Sequence, residues 1–138
     1  MKTTRFLLFL LAFSGAAFSP AAVAAEPLTA SEQGLVGVWQ EYSPSSNVTQ
    51  FYQDRTMKIY LTKEEGARMK THWIEATWSV SPENMLTLSF SANGKSFSQS
   101  AKLDWENEEM WLTQENDGTA VTTKSRRITG GLPAKFRW

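Results

Sequence analysis

One histidine, no cysteine and one acidic run limit the chemistry open to this 138-residue chain. His72 is the lone imidazole, the side chain most used for general acid–base work. With no thiol and no second histidine, it has little from which to build a nucleophilic triad or a soft-metal site. An ordinary surface or rim position is the simpler expectation for it. Asp104, Glu106, Glu108 and Glu109 surround Trp105. Paired carboxylates can hydrolyse glycosides. A calcium loop, however, needs a glycine and oxygen ligands at alternate positions, which this run lacks. Blocks of charge are most often solvated turns. No catalytic residue, metal site or cofactor is therefore expected, and the chain does not read as an enzyme.

The elements that could position a site begin after a leader. Residues 1–25 carry Lys2 and Arg5, an apolar run over residues 6–13, and small residues ending Val23-Ala24-Ala25. That is the pattern of a secretory signal peptide cut after Ala25. The apolar run is well short of the ~20 residues of a spanning helix, and without cysteine there is no lipid attachment. The expectation is a periplasmic or secreted protein with one domain, residues 26–138, and no membrane span. The leader holds two of the 14 basic residues and none of the 14 acidic ones, so the domain is slightly acidic. This argues against nucleic acid or anionic lipid as partners. Burial and backbone hydrogen bonds, not disulfides, must hold it together.

Beyond the leader, β-type runs alternate with turn signals about every ten residues, the spacing of an all-β sandwich or barrel. The runs are residues 35–42, 48–52, 56–62, 71–80, 85–91, 95–103, 110–114 and 119–128. Ser81-Pro82-Glu83-Asn84, Asn93-Gly94 and Asn116-Asp117-Gly118 read as turns. Residues 63–66 read as a polar loop and 104–108 as an acidic connection. A helical turn is expected near residues 30–34, with Ser31 as its cap. Connections this short permit only antiparallel neighbours. Eight strands in one meander remove their exposed edges by closing, which predicts an eight-stranded antiparallel up-and-down barrel, with a sandwich as the competing arrangement.

Gly37 stands two places before Trp39 at the start of the first run. Glycine there permits a sharp bend and a close backbone approach. Trp39, on the same strand face, can plug a closed barrel end beneath a cation from the last strand. Arg126 and Arg127 are the candidates, and alternation slightly favours Arg127, which shares a face with Val121 and Thr123. In the fourth run the same alternation puts Trp78 inside and Trp73 outside. Trp111 is outside if Met110 and Leu112 point inward.

Gly37-x-Trp39 ahead of an eight-strand meander, with Arg126 or Arg127 near its end, resembles the calycin superfamily, and more closely the short bacterial lipocalin-like domains. The turn Asp54-Arg55-Thr56 is similar to their D-G-T triplet, and the run Ala76-Thr77-Trp78-Ser79-Val80 followed by Leu86-Thr87-Leu88 is similar to their mid-chain tryptophan hairpin. The likeness covers residues 35–128. It departs where Arg55 replaces the glycine of the triplet, where the disulfide of many lipocalins is absent, and in its shorter length, which implies a small cavity. The resemblance implies a lipocalin-like barrel that binds a small apolar or amphipathic ligand. Met57, Ile59, Leu61, Trp78, Leu86, Leu88, Phe90 and Phe97 are the candidate lining, or else a filled core. The other expectation is an envelope protein partner, as for a protease or glycosidase inhibitor, met by the exposed tryptophans or by an N-terminal arm at residues 26–33. The tail, residues 130–138, breaks strand pattern at Gly130, Gly131 and Pro133 and reads as a strap or a free arm.

Overall fold

The computed structural model describes residues 18–20, 26–44, 46–92 and 94–138. Of the leader it therefore describes only Phe18–Pro20, as a short strand, β1. Asn93 of the Asn93-Gly94 turn lies outside the described residues. The chain continues through helix α1 (Ala30–Leu35) and the strands β2 (Gly37–Ser43), β3 (Val48–Phe51) and β4 (Thr56–Tyr60). Helix α2 (Lys63–Met69) precedes β5 (Trp73–Val80), β6 (Met85–Ala92), β7 (Lys95–Glu106), β8 (Glu109–Asn116) and β9 (Thr119–Ile128).

Strands β2 to β9 form a closed, all-antiparallel up-and-down barrel of eight strands, with β9 returning to β2 and β6 pairing with β7. The twelve-residue β7 makes closure possible. Its first part pairs with β6 from Lys95 to Lys102, and its last part with β8 from Lys102 to Glu106. A strand shared in this way slants across the barrel, as a closed sheet requires. No helix among the described residues is long and apolar enough to cross a membrane.

Three local expectations are corrected. Residues 63–66 are not a loop but the start of α2. Thr62 and Glu65 form a reciprocal capping box there, each side chain taking the other's backbone N–H, the T-x-x-E signature of a helix start. Thr29 and Glu32 do the same for α1, so the cap of that turn is Thr29 rather than Ser31. Residues 104–106 continue β7 instead of connecting it, and the turn is confined to Asn107 and Glu108, both with positive φ.

The interior is one hydrophobic cluster running from Leu35 and Trp39 through Phe51, Ile74, Trp78 and Leu88 to Met110. A second, smaller cluster sits outside the barrel wall, where Phe136 packs on Val48 and Tyr60. The C-terminal tail builds it. A 3₁₀ turn (Ala134–Phe136) lays Phe136 down, and Trp138 donates its indole N–H to the Leu61 carbonyl at 2.9 Å. The Trp138 ring stacks on His72, centroids 4.1 Å apart, and fills the place a side chain on Gly66 would take. The tail is a strap.

Candidate functional site

The closed end is assembled around Trp39. Gly37 has φ 137°, a backbone state that L side chains rarely adopt, and a Cβ there would collide with the Arg127 guanidinium. Arg127 pairs across the ladder with Trp39. Its guanidinium carbon lies 4.4 Å from the centre of the Trp39 ring, and it donates to the carbonyls of Val36 (2.7 Å) and Gly34. Trp39 in turn donates its indole N–H to the Leu35 carbonyl at 2.8 Å and is covered by Trp105, centroids 5.6 Å apart. Arg126 takes the outer face instead. It bonds Glu109 at 2.9 Å and lies 4.3 Å from the Tyr42 ring centre, while the Tyr42 hydroxyl also donates to Glu109.

Reading the sequence alone missed Arg55. Its φ of 66° suits the glycine that a D-G-T turn would carry, yet arginine stands there and its side chain is buried. Its guanidinium holds the Glu32 carboxylate at 2.9 Å and donates to the carbonyls of Glu26 (2.7 Å) and Pro27 (3.1 Å). Glu32 also accepts the N–H groups of Thr29 and Val80 at 3.0 and 2.9 Å. Burial alone would raise the Glu32 pKa, but the Arg55 hydrogen bond and charge and the two N–H groups outweigh it and hold the carboxyl below its usual value. This pair fastens residues 26–32 across the barrel floor. The signal was legible in principle: an arginine in a turn position that prefers glycine.

The eight candidate lining residues divide. Met57 and Ile59 line a cavity inside the barrel. Leu61, Trp78, Leu86, Leu88 and Phe90 are buried in the core cluster, with Phe97 packed against it. The cavity has an apolar side formed by Phe51, Met57, Ile59, Met110 and Leu112 and a polar side formed by Glu41, Asn47, Thr49, Thr123 and Ser125. Its free volume is about 30 Å³, room for one or two waters, since one needs about 10–15 Å³ on this measure. No lysine or arginine is among its lining residues. Higher on the same strand as Leu112, Gln114 has a buried amide oxygen with no hydrogen-bond partner among the described residues. The polar side comes from β2, from β9 and from Thr49 of β3 with Asn47 just before it, where only the apolar strands attract notice in a sequence.

Outside, Trp78 and Trp73 divide as alternation expects: Trp78 is 2% exposed and Trp73 37%. Trp73 donates to Glu75 at 2.9 Å and carries the Lys58 ammonium 4.2 Å over its ring. Trp111 is half-buried beneath Lys124. His72 is exposed and stacked on Trp138. Among the described residues no group of three or more histidines and carboxylates is arranged to hold a metal. Asp104, Glu106 and Glu108 are exposed, and Glu109 is engaged by Arg126.

The fold and its interior define a class, a small eight-stranded up-and-down barrel plugged at one end by tryptophan and arginine, with a small two-faced cavity among its described residues. Comparison with protein-family models, curated proteins and solved structures finds no match.

Proposed function

We propose that the chain is an exported lipocalin-like binding protein, periplasmic or secreted, whose barrel takes a small amphipathic ligand. The observation that carries this reading is the cavity with opposed apolar and polar walls. Its apolar side suits a short hydrocarbon or thioether end. Its polar side, lined by hydroxyls, the Asn47 amide and the Glu41 carboxyl, suits a polar end group that can hydrogen-bond. The filled core below it supports a ligand much smaller than a fatty acid. Anything larger than the resident space needs Met57 and Met110 to swing aside, which flexible thioether side chains do readily.

Mass spectrometry of the protein taken natively from its own envelope tests the reading, followed by calorimetry with short-chain amines and alcohols. A copurified small molecule, or a short-chain alcohol or amine that binds and is weakened several-fold by Thr123→Val, supports it; loss of one hydrogen bond is worth about that much. Ile59→Trp, which fills the cavity, abolishes such binding. Binding that survives the filled cavity, or none at all, sinks it. The other reading, an inhibitor of an envelope enzyme acting through a free arm at residues 26–33, has less support, because Arg55 ties that segment down.

A further inference from the structure

The barrel ladder is incomplete between β5 and β6. It runs only from Thr77–Val80 of β5 against Leu86–Ser89 of β6. The first half of β5, from Trp73 to Ala76, pairs with β4. The end of β6 pairs with β1 in its place: Phe18 opposite Ala92, Ser19 opposite Ser91, Pro20 opposite Phe90. The two barrel strands diverge, and a third strand stands in the opening.

Backbone alternation says which groups face it. In an antiparallel strand, successive residues turn their N–H and C=O to opposite neighbours. Trp78 donates its N–H toward β4, to the Arg55 carbonyl at 2.9 Å, so Trp73, Glu75 and Thr77 face the β6 side. Thr77 pairs with Ser89, so Ser89 and Ser91 face β5. The Trp73 carbonyl is taken by the Thr71 hydroxyl at 3.0 Å. Ser91 is left presenting its main chain to the opening, and Ser19 is its partner. Phe18 and Pro20 then turn their backbone groups toward β5, where proline has no N–H to offer. This accounts for β1 adding to β6 alone.

We propose that the opening between β5 and β6 is a docking slot for an extended peptide, which joins β6 as an antiparallel strand, and that Phe18–Pro20 is its self-supplied occupant until the residues before Glu26 are removed. An open strand edge is a template for another chain, and main-chain bonds supply the affinity in this mode of recognition while alternate side chains supply the selection. The barrel residues at the slot are apolar inside (Ile74, Ala76 and Phe90, all buried) and polar or aromatic outside (Trp73, Glu75, Ser91). The peptide that fits is uncharged and alternates apolar with small polar residues, as Phe-Ser-Pro does. This proposal does not depend on the cavity ligand; only the release of the slot rests on cleavage after Ala25.

Two experiments test it without relying on cleavage in the cell. The chain has no cysteine, so Ser19→Cys with Ser91→Cys in the full chain gives a clean trap. Residues directly opposite in a ladder are about 5.5 Å apart at Cα, within disulfide reach. Ser19→Cys with Thr87→Cys, about 13 Å farther along the strand, is the control. Near-complete bridging of the first pair and little of the second supports the slot; equal bridging, or none, overturns it. A fluorescent peptide spanning residues 16–22 should then bind the chain that starts at Glu26, with its fold checked by near-ultraviolet circular dichroism, and should not bind the disulfide-locked full chain. N-methylation at the serine of that peptide should weaken it about tenfold or more, because it removes a main-chain donor. Binding indifferent to N-methylation, or equal to the locked chain, overturns the proposal.

Discussion

Replacing Arg55 by methionine keeps the stem of the side chain and removes the charge that Glu32 faces. The contacts that vanish include two to the Glu32 carboxylate, at 2.9 and 3.4 Å, and those to the Glu26 and Pro27 carbonyls. Glu32 is only 2% exposed, so its carboxylate is left desolvated with two N–H donors and no counter-charge. Breaking one partner from a buried pair costs about 3–5 kcal/mol, a large share of the ~5–15 kcal/mol a domain has. The pH dependence gives the sign. In the native protein the Glu32 pKa is depressed, so its contribution is present above the ordinary carboxylate range and is lost as pH falls through the depressed value. In Arg55→Met, burial without the arginine raises that pKa, so the damage is greatest at neutral pH and shrinks as pH falls through the raised value and the carboxyl takes up a proton. Urea unfolding followed by tryptophan fluorescence at pH 7 and pH 4.5 measures both. Arg55→Met with Glu32→Gln should cost less than the two single changes added, because the stranded charge is gone. A loss below about 1 kcal/mol at pH 7, or strict additivity, would refute a buried anchor of this kind.

Trp39→Ala should cost about 3–5 kcal/mol by the cavity it leaves and Arg127→Ala roughly 0.5–2 kcal/mol from the ring contact alone. A double-mutant cycle in urea should show coupling for Trp39 with Arg127 and additivity for Trp39 with the outward Arg126. In single-tryptophan variants, acrylamide should quench Trp73 readily and Trp78 hardly at all; equal quenching would contradict the strand register. Trp138→Ala removes one ring stack and one indole hydrogen bond and should cost about 1–3 kcal/mol, with tryptic cleavage at Lys135 and Arg137 accelerated; an unchanged digest would mean the strap holds nothing. Amino-terminal sequencing of the exported protein should begin at Glu26, and a start at Met1 would rule out the leader reading.

Period-two alternation was enough to place Trp78 inside, Trp73 outside and Arg127 over Trp39, because one face of each of those strands is buried and a one-residue slip would reverse it. The same rule puts Glu41 on the face of Trp39 and Thr123 and Ser125 on the face of Arg127, but nothing in those polar residues says that they border free space rather than packed core. For another reason, the helix at Ala30–Leu35 reads from sequence as a turn with Ser31 rather than Thr29 as its cap, and the start of the one at Lys63–Met69 reads as a loop. Each is shorter than eight residues, too short for a helical period, and only the T-x-x-E capping boxes at Thr29 and Thr62 betray them. The pairing of Arg55 with Glu32 joins residues far apart in the chain, and nothing local in either stretch names the other.

The interior is not packed uniformly. At the closed end, the plug of Trp39, Trp105 and Arg127 and the buried pair of Arg55 and Glu32 bind α1 to the barrel wall, so that end is rigid and satisfied. On the wall of β5 and β6 the inward residues Ile74, Ala76, Trp78, Val80, Leu86, Leu88 and Phe90 are apolar and packed in the core cluster. Free space survives where β2, β3 and β9 turn polar side chains toward apolar ones, because hydroxyls, an amide and a carboxyl group cannot collapse onto one another as aliphatic groups do without leaving bonds unmade. A polar wall inside so small a barrel costs stability that leucines in the same places would restore. With Glu41, Asn47 and Thr123 facing Met57 and Met110, that part of the interior stays two-faced, and the proposed small amphipathic ligand rests on that feature.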